Sequence, residues 1–233
     1  MTGGGAPEFD RYRDSYVDAL DHAVGFSGRD PLFFARAKAD LLVDLGGRLV
    51  GDPATLSLLD VGCGVGLVDA FLCGRFGAVH GTDVSAEMVA AARERNPYVE
   101  YAVARSGELP YATGAFDLAF AACVLHHVPP GERVALIREI ARVLRPGGLG
   151  VVVEHNPFNP LTRVVVSRCE FDEDIELLRR SEAERLVAEG GLARVETRYV
   201  VFFPWRSRPL ARIERALGWL PAGAQYYVSA RRG

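Results

Sequence analysis

The chain has 233 residues, 27 Lys plus Arg against 30 Asp plus Glu, and a formal net charge of −3. That balance argues against nucleic acid as a partner, which needs clustered cations to neutralise phosphates. At 49% hydrophobic residues it carries enough apolar surface for one α/β domain with a small elaboration, and no apolar run nears the roughly 18 residues that span a bilayer.

The opening MTGGGAPEFD has neither a basic nor an apolar leader region, so a cytoplasmic setting is expected. The four cysteines, Cys63, Cys73, Cys123 and Cys169, form no C-x-x-C pair and have no His at metal-ligand spacing. Free thiols and no metal are therefore expected.

Residues 9–49 read as helical, with Tyr12, Tyr16, Leu20 and Val24 on one stripe and Phe33, Phe34, Ala37, Leu41, Leu42 and Leu45 on a second. Residues 25–30 separate the two, and Asp30-Pro31 is a helix start. Short apolar runs at 56–61, 78–82, 99–104, 116–123 and 149–154 read as buried parallel strands. Helical patterns at 65–76, 86–95 and 133–144 lie between them, the second opened by Ser85 and the third stopped by Pro146-Gly147-Gly148. Residues 156–174 read as a long irregular lid, ending in an acidic run from Glu170 to Asp174 that charges the start of the next helix. The end of the chain gives a helix at 181–189 and strands at 193–203 and 225–231, joined by a connection with a helix at 210–217.

The expected fold is α/β: a Rossmann-like, doubly wound, mostly parallel seven-stranded sheet with an antiparallel C-terminal strand and an N-terminal helical cap. One domain is expected over 1–233, with a cap at 1–50, a cofactor-binding half at 51–155, and a substrate-side lid with the C-terminal strands at 156–233.

The most informative stretch is Asp60-Val61-Gly62-Cys63-Gly64-Val65-Gly66, a strand running into a glycine loop that opens a helix. Such a loop lets backbone approach a ligand, and the helix start offers free N–H groups. The dinucleotide fingerprint needs glycine at position 67, where Leu67 stands. Asp83, after the second strand in Gly81-Thr82-Asp83-Val84, is suited to accept hydrogen bonds from a ribose diol.

With these segments go Gly107-Glu108-Leu109-Pro110-Tyr111, Phe116-Asp117-Leu118, Cys123-Val124-Leu125-His126-His127-Val128 and Leu144-Arg145-Pro146-Gly147-Gly148. Together they resemble the class I S-adenosylmethionine-dependent methyltransferases of small-molecule type over residues 9–231. The resemblance implies S-adenosylmethionine as cofactor, held by Tyr12, Asp60, Gly62, Cys63, Gly64, Asp83, Val84, Met88, Ser106, Gly107 and Cys123. Where family members often carry an adenine-binding acid, this chain has Arg105, which offers no acceptor.

The resemblance also makes His126 the first choice for a general base and His127 the second, with His155 and Glu154 beside the same cleft. The acceptor is expected to be a small molecule methylated on O, N or C, such as a secondary metabolite, a sugar or a lipid-linked group; a homodimer is left open. Base N-methylation is disfavoured, because Ala122-Cys123-Val124-Leu125 stands where an Asn/Asp-Pro-Pro-aromatic loop is needed. Trp205, Trp219 and the arginines at 206, 208, 212 and 215 form either a wall for an anionic substrate or a solvated face. The competing readings are a nicotinamide-dependent oxidoreductase and a non-catalytic relative that keeps the cofactor site.

Overall fold

The computed structural model describes residues 8–13, 15–25, 28–105, 107–172, 175–203 and 208–233. Among them, seven strands form one sheet: β1 (Ser57–Val61), β2 (Ala78–Asp83), β3 (Glu100–Val103), β4 (Phe116–Ala122), β5 (Leu144–His155), β6 (Leu192–Val200) and β7 (Gln225–Arg232). Their order is β3-β2-β1-β4-β5-β7-β6. The first five are parallel, and β7 runs antiparallel to both β5 and β6. Only β7 is thus reversed.

Period-two alternation fills both faces. In β4, Ala119 and Ala121 join the core shared with Ile137, Ile140 and Leu186, while Leu118 and Phe120 join the opposite core with Leu42, Leu45 and Val89. The first face is covered by α5 (Arg133–Val143) and α7 (Arg180–Glu189), the second by α2 (Pro31–Leu49) and α4 (Ala86–Arg95). The Asp30 carboxylate accepts from Phe33 N at 2.9 Å, and Ser85 Oγ accepts from Met88 N at 3.1 Å, so both expected caps form.

Four local expectations give way. The helix at 65–76 shrinks to α3 (Asp69–Leu72), because Gly66 sits at φ +71° before it and Gly74 at φ +75° after it. Pro146-Gly147-Gly148 does not end a helix in a loop; it is the irregular start of β5, where the register to β4 shifts. The lid contains α6 (Pro160–Val166), with Asn159 accepting from Thr162 N at 3.0 Å. Strand β6 stops at Val200 because Val201 is left-handed, at φ +61°. Before the sheet lies α1 (Tyr16–Val24), and α8 (Arg208–Leu217) joins β6 to β7. Trp205 and Arg206 lie outside the described residues; Arg215 pairs with Asp44 of α2 at 3.0 Å. No helix among the described residues is long and apolar enough to cross a membrane.

The strand order reverses direction between β1 and β4, which opens a crevice at the strands' carboxyl ends. The glycine loop, the end of β4 and the end of β5 meet there.

Candidate active site

The glycine loop is held from three sides. Gly62 N and Cys63 N both donate to Thr82 O, at 2.8 and 3.0 Å. Gly64 N donates to Asp83 Oδ2 at 2.9 Å, and Ser85 N to Asp83 Oδ1 at 3.0 Å. Beneath the loop, Asn96 Nδ2 donates to Gly66 O (2.8 Å) and to Tyr101 OH (2.9 Å), and Tyr101 OH donates to Asp69 Oδ2 (2.8 Å). Gly62 has φ +79°, and a Cβ there would stand 2.5 Å from Val124 Cγ2. Glycine is required at that point twice over, by conformation and by space.

Above the loop lies a cavity of about 350 Å³ bordered by Gly62, Gly64, Asp83, Val84, Met88, Gly107 and Cys123, with Ala104, Arg105 and Leu109 at its far end. A second cavity, of about 170 Å³, extends over the ends of β1, β4 and β5 and is lined by Asp60, Cys63, His126, His155, Lys38, Asp172 and Gln225. Tyr16, Gly62, Cys123 and His127 line both. Cys123 stands there at φ +59°, an uncommon conformation for a residue with a side chain and one that clusters at functional sites.

Behind this junction lies a buried polar chain. Glu154, wholly buried, accepts from Leu125 N at 2.9 Å and meets His126 Nδ1 at 2.6 Å. His126 Nε2 is 3.0 Å from His127 Nε2, and His127 Nε2 is 3.2 Å from Asp172 Oδ1. Burial works against the charge of His126, but the Glu154 carboxylate outweighs it and holds the imidazole above its usual range. Burial likewise works against the Glu154 charge, and His126 and then His155 outweigh it and hold the acid below the carboxylate range. For His155 burial dominates, and its pKa falls. At Asp172 burial opposes ionisation, and the close contact with His127, then the charges of His155 and His126, overcome it and lower the pKa. Asp60 is pushed well above the usual carboxylate range by burial and by neighbouring Asp69.

Most of the residues singled out from sequence converge here. Asp60, Gly62, Cys63, Gly64, Asp83, Val84, Met88, Gly107, Cys123, His126, His127 and His155 line one or both cavities. Ser106 lies outside the described residues. Two of the residues are placed differently from the rest. Tyr12 lines neither cavity; it is buried against Phe9 and Phe171 and accepts from Arg11 Nη2 at 2.8 Å, because a short 3-10 turn (Glu8–Tyr12) precedes α1 and breaks the stripe. Tyr16 takes the expected place. His126 lines the smaller cavity with both ring nitrogens engaged in the polar chain, and His127 lines both cavities. Sequence reasoning missed Lys38, Phe171 and Gln225 as lining, and read Asp172 only as part of an acidic run that charges the next helix; it turns inward instead.

Residues 58–148, which carry the glycine loop, Asp83 and the histidine pair, match the family model of a methyltransferase domain. A phosphatidylethanolamine N-methyltransferase from Cereibacter sphaeroides is 34% identical over 147 residues, covering 60% of this chain and 71% of that protein. The chain belongs to the class I S-adenosylmethionine-dependent methyltransferases. Methyltransferase GfsG of Streptomyces halstedii is 35% identical over 150 residues, or 60% of this chain and 53% of that one. The chain spans about half the length of this and another of the curated relatives it matches. Among solved structures, an S-adenosylmethionine-dependent methyltransferase from Mesorhizobium loti is 25% identical, with a TM-score of 0.57 over 79% of this chain and 94% of that one.

Proposed function

We propose that this methyltransferase binds S-adenosylmethionine in the larger cavity and methylates a small-molecule acceptor seated in the smaller one. The observation that carries this reading is the meeting of the two cavities at Gly62, Cys123 and His127. When bound, the cofactor supplies a methyl group on a positively charged sulfur. The larger cavity fits it. Gly62 and Gly64 leave the floor free of side chains, and Asp83 keeps two carboxylate lone-pair sites beyond the two it gives to Gly64 N and Ser85 N. Val84 and Met88 flank the ribose position, Gly107 with Ala104 and Leu109 the adenine end. Asp60 and Cys63 line the smaller cavity, on the acceptor side of the junction.

The chain's own contribution is alignment. Acceptor and methyl donor are held on one line through the junction, and such positioning removes several kcal/mol from a bimolecular barrier. The acceptor's proton is managed by the cluster of His127, His126, Glu154 and Asp172. Near-neutral charge favours a small molecule over a nucleic acid. Free cysteines fit a reducing, cytoplasmic setting. Residues 1–233 act in this reading as one domain: cap at 1–50, cofactor half at 51–155, acceptor side at 156–233.

The test is a labelled-methyl transfer assay with the chain, S-adenosylmethionine and a panel of hydroxylated and amine metabolites. Transfer to a small acceptor supports the reading. Cofactor binding with no transfer to any acceptor would instead favour a non-catalytic relative.

A further inference from the structure

Three ligand atoms converge at the acceptor side of the junction. His126 Nε2, His127 Nε2 and Asp172 Oδ1 are separated by 3.0, 3.2 and 3.8 Å. A point roughly 2.1 Å from all three therefore exists just off their plane, at the length of a metal–imidazole or metal–carboxylate bond. The three side chains come from the turn after β4 and from the short 3-10 turn Glu170–Asp172, and together they are well shielded from solvent.

Hydrogen bonding alone leaves this group unsatisfied. The two Nε2 atoms face each other, so at least one must act as acceptor. Asp172 Oδ1 is buried with no aligned donor, although His127 Nε2 stands 3.2 Å away. A buried carboxylate oxygen without a donor costs stability, whereas a cation satisfies three acceptor atoms at once. Glu154 completes the pattern. Its contact with His126 Nδ1 at 2.6 Å fixes the proton on that nitrogen in the neutral ring and leaves Nε2 as the ligating atom, the arrangement seen behind metal-bound histidines.

We propose that His126, His127 and Asp172 form a binding site for a divalent transition-metal ion at the mouth of the acceptor cavity. Two imidazoles and one carboxylate on one face suit Zn²⁺, Fe²⁺, Co²⁺ or Mn²⁺ rather than the all-oxygen preference of Mg²⁺ or Ca²⁺. Three ligands on one side leave the positions toward the cavity open. Resting on the reading of that cavity as the acceptor site, the bound ion takes the two Nε2 lone pairs, so the ion rather than a free imidazole would orient an oxygen-bearing acceptor and ease the loss of its proton.

The experiment is titration of the full chain, stripped with a chelator, with Co²⁺ followed by visible absorption and with Zn²⁺ followed by calorimetry. Wild type is expected to bind one equivalent with a Kd of about 10 μM or tighter. Asp172→Asn and His127→Gln, checked for folding by thermal melting, are expected to bind at least tenfold more weakly, and Glu154→Gln roughly 10- to 100-fold more weakly. Three outcomes would overturn the site: no saturation, affinity retained in Asp172→Asn, or a near-ultraviolet thiolate band placing Co²⁺ on Cys63, Cys123 or Cys169. S-adenosylhomocysteine is titrated in parallel. Its binding without metal binding defeats the metal site alone, and metal binding without it defeats the cofactor reading alone.

Discussion

The ring of Tyr16 stacks on the ring of Phe171, with centroids 4.9 Å apart and planes 7° from parallel. The contact ties the first helix to the segment that carries Asp172, and so closes the cap over the glycine loop. Tyr16 lines both cavities and Phe171 the smaller one. Phe171 is buried. Phe171→Ala is expected to cost about 3 kcal/mol of stability, read from the denaturant midpoint. Phe171→Tyr, which keeps the stack, is expected to stay within about 1 kcal/mol of wild type.

Two glycines with the same backbone angle separate conformational cost from space. Gly62 and Gly107 both have φ +79°, but a Cβ on Gly62 meets Val124 while one on Gly107 meets nothing within 4 Å. Gly107→Ala is expected to lose only about 1–2 kcal/mol, the left-handed penalty. Gly62→Ala adds the clash in the cavity floor, so its affinity for S-adenosylhomocysteine is expected to fall at least tenfold. Equal affinities in the two variants would contradict the role given to the loop.

The buried Asp69 sets a pH dependence. Burial pushes its pKa up to about 6, with the Tyr101 hydroxyl and Asp60 pulling the other way. A raised carboxylate pKa means the folded state holds its proton more tightly than the unfolded chain. The resulting stabilisation is full below about pH 4 and is lost as pH rises through about 6. Asp69→Asn keeps an acceptor for Tyr101 OH and cannot ionise. Its stability is expected to fall less than that of wild type between pH 5 and 7.5, by on the order of 1 kcal/mol, measured as urea midpoints at both pH values. Parallel pH curves would count against it.

His127 faces both cavities and His126 stands behind it. His127→Gln is therefore expected to lower turnover on the order of a hundredfold, while S-adenosylhomocysteine affinity changes by less than about threefold. Steady-state kinetics beside calorimetry reads the split. Unchanged turnover would remove the histidine from the chemistry.

The fold was legible because its signals are local. A buried strand ending in Gly62, an N-cap at Ser85 and the alternation in 116–122 each declare themselves within a few residues. Asp83 was legible for the same reason, since strand and helix start fix its place. Residues that act across long separations were not. Asp172 reads as one acid in a run that charges the next helix until the chain folds it against the histidines, and no spacing rule connects it to them. The spacing of Tyr12 and Tyr16 suggests one continuous helical stripe, but the 3-10 turn Glu8–Tyr12 precedes α1 and turns Tyr12 away from the line of Tyr16.

Calorimetric titration with S-adenosylhomocysteine, comparing the unmodified chain with Asp83→Ala and Asp83→Asn, tests the cofactor assignment most directly. The larger cavity and its carboxylate predict saturable binding at one site, weakened at least tenfold in Asp83→Ala and less in Asp83→Asn, which keeps one acceptor oxygen. Absent binding by the unmodified chain, or full affinity retained in Asp83→Ala, would contradict it.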